Sequence, residues 1–271
     1  MKYKIAILII LASLPFLSTF SSCHKEKPER GVTSPPEGAL PGLFTVDRTG
    51  NQVWLSRGNL QYQASSGQWR FAPHQYSYLG DANTTIGDTL GGWIDLFGWG
   101  TGLNPCDTST QMDYYQFHDW GSNLEGNWRT LTIGEWKYIL SERPGADSLC
   151  STGSVDSLHG LILLPDKWVL PSGCTFRKGF GNAPNDWQHN HYSFSQWSQM
   201  EANGAVFLPA AGHRWGRNVG RVGVYGNYWS SSSYYVNSSF HLGFYANGAA
   251  EGYNYRFYGQ SVRLAVDRRR E

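Results

Sequence analysis

Apolar and polar residues alternate most regularly in the last fifth of the chain, residues 225–266. Within it, apolar side chains stand at every second position in two runs, residues 240–244 and 261–266. A period of two is typical of strands with one buried face. The stretch therefore predicts two half-buried strands, with Tyr, Asn, Ser and Gly between and before them.

The same patterning predicts further strands upstream. Two pairs of short alternating runs, residues 43–46 with 53–56 and residues 59–63 with 68–71, flank Gly-containing turns and indicate two hairpins. Continuous apolar runs at residues 161–164 and 205–208 predict buried strands. Residues 76–107 are rich in aromatic residues and Gly but have no period, which predicts a long ordered loop packed by its own rings.

Two helices are predicted among these strands. Thr132 and Glu135 have capping-box spacing ahead of an apolar stripe that ends before Pro144. Residues 193–202 carry apolar side chains at every third position, which predicts a second helix. Short antiparallel strands, two helices and long ordered loops define an α+β fold class.

The first 42 residues have a different character. Two lysines, a short apolar run and small residues precede Cys23, which is typical of a secretory signal in residues 1–22. The segment resembles a bacterial lipoprotein signal, with Cys23 as the acylated residue; a signal peptide without lipidation is the alternative. Residues 23–42 combine charge with Pro and Gly and predict a flexible tether. We expect an outer membrane lipoprotein exposed at the cell surface, with periplasmic retention as the second choice.

Charge and composition indicate which classes of ligand the protein binds. The net charge is +1, which offers no electrostatic field for nucleic acid. Tyr supplies rigid contact area at low entropic cost, and Ser, Asn and Gly supply adaptable hydrogen bonds, so the last fifth has the composition of a binding surface. We expect no nucleic-acid partner and an unknown protein or glycan ligand.

The cysteines predict one disulfide and no metal site. Once Cys23 is assigned to the lipid, Cys106, Cys150 and Cys174 remain, and in an oxidising compartment we expect Cys150 to pair with Cys174. No two cysteines have the spacing of zinc ligands. Neither a metal nor a cofactor is predicted.

Four short segments carry a resemblance to a known family: residues 132–136, 207–212, 228–232 and 261–264. They resemble the formylglycine-generating-enzyme-like branch of the C-type lectin fold, and most closely the lipoprotein modules of Bacteroidetes called the Fibrobacter succinogenes major paralogous domain. The resemblance implies a single C-type lectin-like domain over residues 43–268, with ligand display from residues 225–266. It also implies that Trp229 is a core ring and Arg263 a buried or semi-buried structural residue.

The resemblance does not extend to the oxidase chemistry of the family. Its sulfatase-activating members use a pair of reactive cysteines near the C-terminal strands, and no cysteine follows Cys174 here. We therefore expect no enzymatic activity. The alternative is a surface glycan-binding or glycan-processing protein, whose acids would come from the aromatic segment 93–125: Asp95, Asp113, Asp119 and Glu125.

The variable proteins of diversity-generating retroelements share this fold and rewrite their C-terminal region at template adenines. Such editing cannot produce Lys, Gln, Glu, Met or Trp, and from Ser233 to Tyr258 only Glu251 belongs to that set. The resemblance thus implies a diversified binding face, while a sheet surface of low charge is the alternative explanation. The predicted ligand-binding residues are Tyr225, Asn227, Tyr234, Tyr235, Asn237, His241, Tyr245, Asn247, Tyr253, Asn254, Tyr255 and Tyr258.

Overall fold

Short strands separated by turns make up most of the secondary structure. The structure, a computed structural model, describes residues 34–78, 80–111 and 116–268. Within them the strands are β1 (Ala39–Thr45), β2 (Gln52–Ser56), β3 (Leu60–Gln63), β4 (Gln68–Phe71), β5 (Trp93–Ile94), β6 (Arg129–Thr130), β7 (Cys150–Val155), β8 (Leu158–Leu163), β9 (His191–Tyr192), β10 (Val206–Pro209), β11 (His213–Trp215), β12 (Asn218–Gly220), β13 (Gly226–Tyr235), β14 (Ser238–Tyr245), β15 (Gly248–Tyr255) and β16 (Leu264–Asp267). The α-helices are α1 (Ile133–Lys137) and α2 (Phe194–Ala202). The predicted signal peptide and lipidation site at Cys23 lie outside the described residues.

The strands form five small sheets. Their strand orders are β1-β2-β16-β6, β10-β8-β7-β9, β11-β12, β13-β14-β15 and β4-β3-β5. Among these pairings only β7 with β9 is parallel. The predicted α+β class, with small antiparallel sheets and two helices, is confirmed. No helix in the described part of the chain is long and apolar enough to cross a membrane.

Both predicted N-terminal hairpins are present. β1 pairs with β2 and β3 with β4, and the turns contain Gly50 and Gly67 in the left-handed region, at φ of 80° and 66°. Glycine adopts this conformation without the steric cost that a Cβ would impose. β1 begins at Ala39, and Leu40 is already buried in the core. The predicted boundary at residue 43 therefore falls inside a strand.

Both predicted helices begin at capping boxes. Thr132 caps α1 and Ser193 caps α2, and in each case the side chain at the third helical position bonds back to the cap. These reciprocal bonds satisfy backbone N–H groups that have no partner within the helix. α1 continues as a π-helical turn over Tyr138–Glu142.

The last strand differs from its prediction. Residues 261–265 are all at most 1% exposed, so both faces of this segment are covered. Val262 and Leu264 pack with Trp229 in one core cluster, while Ala265 packs with Leu242 in another. The prediction of a half-buried strand was wrong here, because a period of two reports alternation but not what covers the polar side. Trp229 and Arg263 are buried as predicted.

Hydrogen bonds connect the long aromatic segment, residues 76–107, to the C-terminal strands. Two indole N–H groups make the connection: Trp99 Nε1 donates to the Ser230 carbonyl and Trp229 Nε1 to the Phe97 carbonyl, each at 2.8 Å. β5 also joins this segment to β3. The segment is therefore an ordered part of the core that supports β13 from one side.

Candidate functional site

The sheet β13-β14-β15 carries most of the predicted ligand-binding residues. Directly opposed residues in an antiparallel pair share a face. Trp229 opposes His241, which opposes Gly252; Tyr228 opposes Leu242, which opposes Glu251. We call these two sides the Trp229 face and the Leu242 face. Each face is covered by a core cluster at one end and open at the other.

A pocket of about 330 Å³ opens on the Trp229 face. Its walls include the rings of Tyr225 and Tyr245, whose centroids are 5.8 Å apart with an interplanar angle of 68°. Asn227 and His241 also line it, and Gly243, Gly248 and Gly252 are among its remaining residues. We call it the tyrosine pocket. It brings together four of the predicted binding residues, Tyr225, Asn227, His241 and Tyr245.

The imidazole of His241 lies against two of these glycines. A Cβ added at Gly252 would stand 2.8 Å from His241 Nε2, and one added at Gly243 would stand 3.2 Å from it. His241 is 8% exposed, and its Nδ1 lies 3.4 Å from Gln260 Nε2. Burial, and secondarily the charge on nearby His213, lower the pKa of His241 to about 4. At neutral pH the pocket therefore presents an uncharged imidazole.

Asn227 is largely enclosed. It is 9% exposed, and its Nδ2 donates to the Gly212 carbonyl at 3.3 Å. The amide ties β13 to the turn that precedes it, because Gly212 also forms a bridge with Gly226. The side chain of Asn227 also borders the tyrosine pocket, so Asn227 stays a predicted ligand-binding residue.

A second group of rings lies at the open end of the Leu242 face. The Tyr234 ring centroid is 4.4 Å from that of Tyr253, 4.7 Å from that of Phe240 and 4.3 Å from that of Tyr235. Tyr235 and Tyr253 are each more than 60% exposed. We call these four residues the Tyr234 cluster. Phe240 was not among the predicted ligand-binding residues, because its place in an alternating strand predicts a buried ring.

A third group surrounds Tyr258. Tyr255 stacks on Phe257, Phe257 on Tyr258, and Trp215 on Tyr258, with centroids 5.4, 5.2 and 6.3 Å apart. Trp215 is 54% exposed and was not predicted as a contact residue. Its strand lies outside the Tyr- and Asn-rich stretch that directed attention to the other rings.

Two of the predicted asparagines, Asn237 and Asn254, have partners next to them in sequence. Asn254 Oδ1 accepts from the backbone N–H of Tyr255, and Asn237 Oδ1 accepts from the Ser238 hydroxyl, both at 3.0 Å. Asn247 Oδ1 is enclosed without a partner among the described residues. The sequence predicted one presented face, but the structure distributes its residues over the two faces of the sheet and the group around Tyr258.

Two of the acids considered for glycan processing have structural partners. Asp95 is fully buried and accepts from Asn83 Nδ2 at 2.9 Å. Asp119 accepts from the backbone N–H and hydroxyl of Thr130. Glu125 lines a separate groove of about 460 Å³ beside Trp128. Asp113 lies outside the described residues.

The predicted disulfide is absent. Cys150 and Cys174 are both free thiols, as is Cys106. The prediction was wrong because Cys150 belongs to the core cluster under β14, whereas Cys174 packs in a different cluster against α2. Burial raises the pKa of the Cys150 thiol to about 12, so it remains protonated at neutral pH.

Comparisons of the chain with protein-family models, with curated proteins and with solved structures give no match in any of the three.

Acidification is expected to destabilise the protein through His241. Its pKa is about 4 in the folded protein, against 6.5 for an unperturbed histidine, so the unfolded chain binds the extra proton between these values. Stability therefore rises with pH across this window and falls as pH is lowered through it. Between pH 7 and pH 5 the contribution amounts to about 2 kcal/mol. Urea unfolding at both values measures it.

His241→Gln is the matched control for this effect, because glutamine keeps a polar side chain but does not titrate. The wild type should lose about 2 kcal/mol more than His241→Gln between pH 7 and pH 5. Parallel pH profiles for the two proteins would contradict the neutral, buried imidazole.

Proposed function

We propose that the chain is a lipid-anchored cell-surface binding protein, or adhesin, that presents a Tyr-, Asn-, Ser- and Gly-rich ligand-binding surface on a C-type lectin-like scaffold. The main observation that supports this proposal is the tyrosine pocket. Two tyrosine rings at its walls supply contact area, and the Asn227 amide and the neutral imidazole of His241 supply hydrogen-bonding groups, with the carboxylate of Glu251 at the border of the pocket. This combination suits a polar ligand held by stacking and hydrogen bonds.

Binding is favoured over glycan processing by the state of the acids. Glycoside cleavage requires two carboxyl groups facing one cleft. Asp95 instead accepts a hydrogen bond from Asn83, and Asp119 accepts one from Thr130. A protein without enzymatic activity remains our prediction for this chain.

The finer fold assignment is part of the same proposal. The burial of Trp229 and Arg263, at the positions where the resemblance implies structural residues, supports a scaffold of the formylglycine-generating-enzyme-like type. Diversification of residues 233–258 is also proposed. It predicts a near-identical, adenine-rich copy of the corresponding DNA beside a reverse transcriptase gene, and the absence of both would remove that part of the proposal.

Replacing the two wall tyrosines is the direct test. The 31–271 chain is applied to arrays of glycans and of surface proteins, and the Tyr225→Ala/Tyr245→Ala variant should lose at least tenfold in binding to any ligand that the wild type captures. Tyr234→Ala/Tyr253→Ala separates the contribution of the Leu242 face. The matched control is Leu103→Ala/Val169→Ala, which truncates two residues that are about 70% exposed and far from these rings in sequence.

Comparison of the two tyrosine variants shows which face of the sheet binds the ligand. Loss confined to the Tyr225/Tyr245 variant places the ligand in the tyrosine pocket. Unchanged capture by both tyrosine variants, or wild-type silence on every array, would contradict the proposed function.

A further inference from the structure

Within the part of the chain that the structure describes, no strand pairs with the outer edge of β15. β15 stands last in its sheet and pairs with β14 over eight consecutive residues without a shift of register. Natural proteins usually protect such edges with bulges, prolines or several charges, because the free N–H and C=O groups can pair with another chain. The sequence here is Gly-Ala-Ala-Glu-Gly-Tyr-Asn-Tyr, with one charge and small residues that leave the backbone accessible.

The hairpin geometry identifies the outward-facing groups. Only two residues separate Tyr245 from Gly248, so this closing pair exchanges its backbone hydrogen bonds directly. Every second residue of β15 after Gly248 then bonds to β14, and the intervening ones, Ala249, Glu251 and Tyr253, direct their N–H and C=O groups away from the sheet. The next outward N–H, that of Tyr255, is already bonded to Asn254 Oδ1 at 3.0 Å.

An open pocket lies on each side of this edge. On the Trp229 face is the tyrosine pocket, and on the Leu242 face is a pocket of about 320 Å³. The second is lined by Leu140 and Phe180, with Lys137 and Ser141 also at its border. We call it the helix pocket. Ala249, Ala250 and Glu251 border both pockets.

We propose that β15 binds an extended segment of a partner polypeptide as an added strand of the sheet. Its backbone would pair with Ala249, Glu251 and Tyr253, and its successive side chains would enter the tyrosine pocket and the helix pocket in turn. Strand addition works in this way: main-chain bonds supply affinity, and pockets for alternate side chains supply specificity. The proposal rests on the proposed function, since it names the class of partner that the surface receives.

The charge of Glu251 indicates which residues the partner's added strand contains. Glu251 is exposed and forms no ion pair with any residue of the described chain, whereas Lys137 lies 4.0 Å from Glu142. A basic residue directly opposite Glu251 satisfies the free carboxylate. Leu140 and Phe180 favour an apolar residue two positions away on the same face. A second copy of β15 carries no basic residue, which favours a different polypeptide as the partner.

The probe is a nine-residue peptide with Lys in the middle, Val at the other odd positions and Thr at the even positions. Two further versions carry N-methyl groups on the odd or on the even amides. An added strand pairs along one edge only, so one methylated version should bind within about twofold of the parent and the other at least tenfold more weakly. Fluorescence anisotropy with the full chain measures all three.

Amide exchange locates the contact. With the parent peptide bound, the N–H groups of Ala249, Glu251 and Tyr253 should exchange at least tenfold more slowly.

Ala249→Pro removes one outward donor without breaking the ladder to β14, and should weaken binding about tenfold. Glu251→Lys should reverse the preference between peptides with central Lys and central Glu, by about threefold in each direction.

Equal binding of the two methylated peptides, absence of peptide binding, or unchanged exchange at these three amides would overturn strand addition. The proposed function fails through different results, namely array capture that survives both tyrosine variants, or silence of the wild type on every array. Either can therefore fail while the other stands.

Discussion

Replacing Arg263 by alanine should lower the free energy of unfolding by about 4 kcal/mol. The side chain is 1% exposed, and its guanidinium donates to the Ser56 carbonyl at 3.0 Å and to the Phe207 carbonyl at 2.8 Å. These carbonyls belong to β2 and β10, in two different sheets. Alanine would leave both acceptors buried without a donor and open a cavity between the sheets. Urea unfolding at pH 7 measures the loss.

Two controls separate charge from shape. Burial lowers the pKa of Arg263 to about 10. Because this value is still well above 7, the guanidinium is protonated at pH 7. Arg263→Lys keeps a charge but lacks the planar fork that reaches two carbonyls at once, and Arg263→Met keeps most of the volume without any donor. We expect both to be destabilised, with Arg263→Met closer to the wild type than Arg263→Ala. A loss below about 1 kcal/mol for Arg263→Ala would contradict the bridging role.

Elements fixed by neighbours in sequence were predictable. The capping boxes at Thr132 and Ser193 depend on a residue three positions away, and the first two hairpins depend on Gly50 and Gly67 in their turns. Their physical causes act within a few residues. The arrangement of the sheets was not predictable in the same way. β16 pairs with β2, about two hundred residues earlier, and no local pattern specifies that partner.

The candidate site shows the same limit at a finer scale. Tyr245 on β14 and Tyr253 on β15 are both odd-numbered, and a simple period of two would place them on one face. The two-residue turn makes Tyr245 oppose Gly248, so odd positions of β14 share a face with even positions of β15. Tyr245 consequently borders the tyrosine pocket, while Tyr253 joins the Tyr234 cluster on the other face. Composition identified these residues, but only the register assigns them to surfaces.

The glycines of the pocket could not be singled out by composition. Gly243 and Gly252 stand opposite Ala250 and His241 in the ladder, and the imidazole occupies the space that their Cβ atoms would need. A sequence rich in glycine gives no reason to choose these two. Their role follows from the position of a side chain on the middle strand.

Trp229 is the residue on which the core and the site both depend, and Trp229→Ala should cost about 4 kcal/mol of unfolding free energy. The ring is fully buried in the core cluster that also contains Val262 and Leu264, and its N–H donates a hydrogen bond to the Phe97 carbonyl. It also meets the His241 ring edge to face, with centroids 6.0 Å apart. Removing it should therefore loosen His241 and weaken ligand capture as well as stability.

Trp229→Phe distinguishes packing from the hydrogen bond. Phenylalanine retains most of the buried ring area but removes the indole N–H, which leaves the Phe97 carbonyl with the Gln260 N–H as its remaining donor. The expected loss is about 2 kcal/mol, half that of alanine. Urea unfolding compares the two variants, and array capture at a temperature where both are folded follows the pocket. Equal stability of Trp229→Ala and the wild type would contradict the core assignment. Full stability loss with unchanged capture would show instead that the tyrosine pocket keeps its shape without this support.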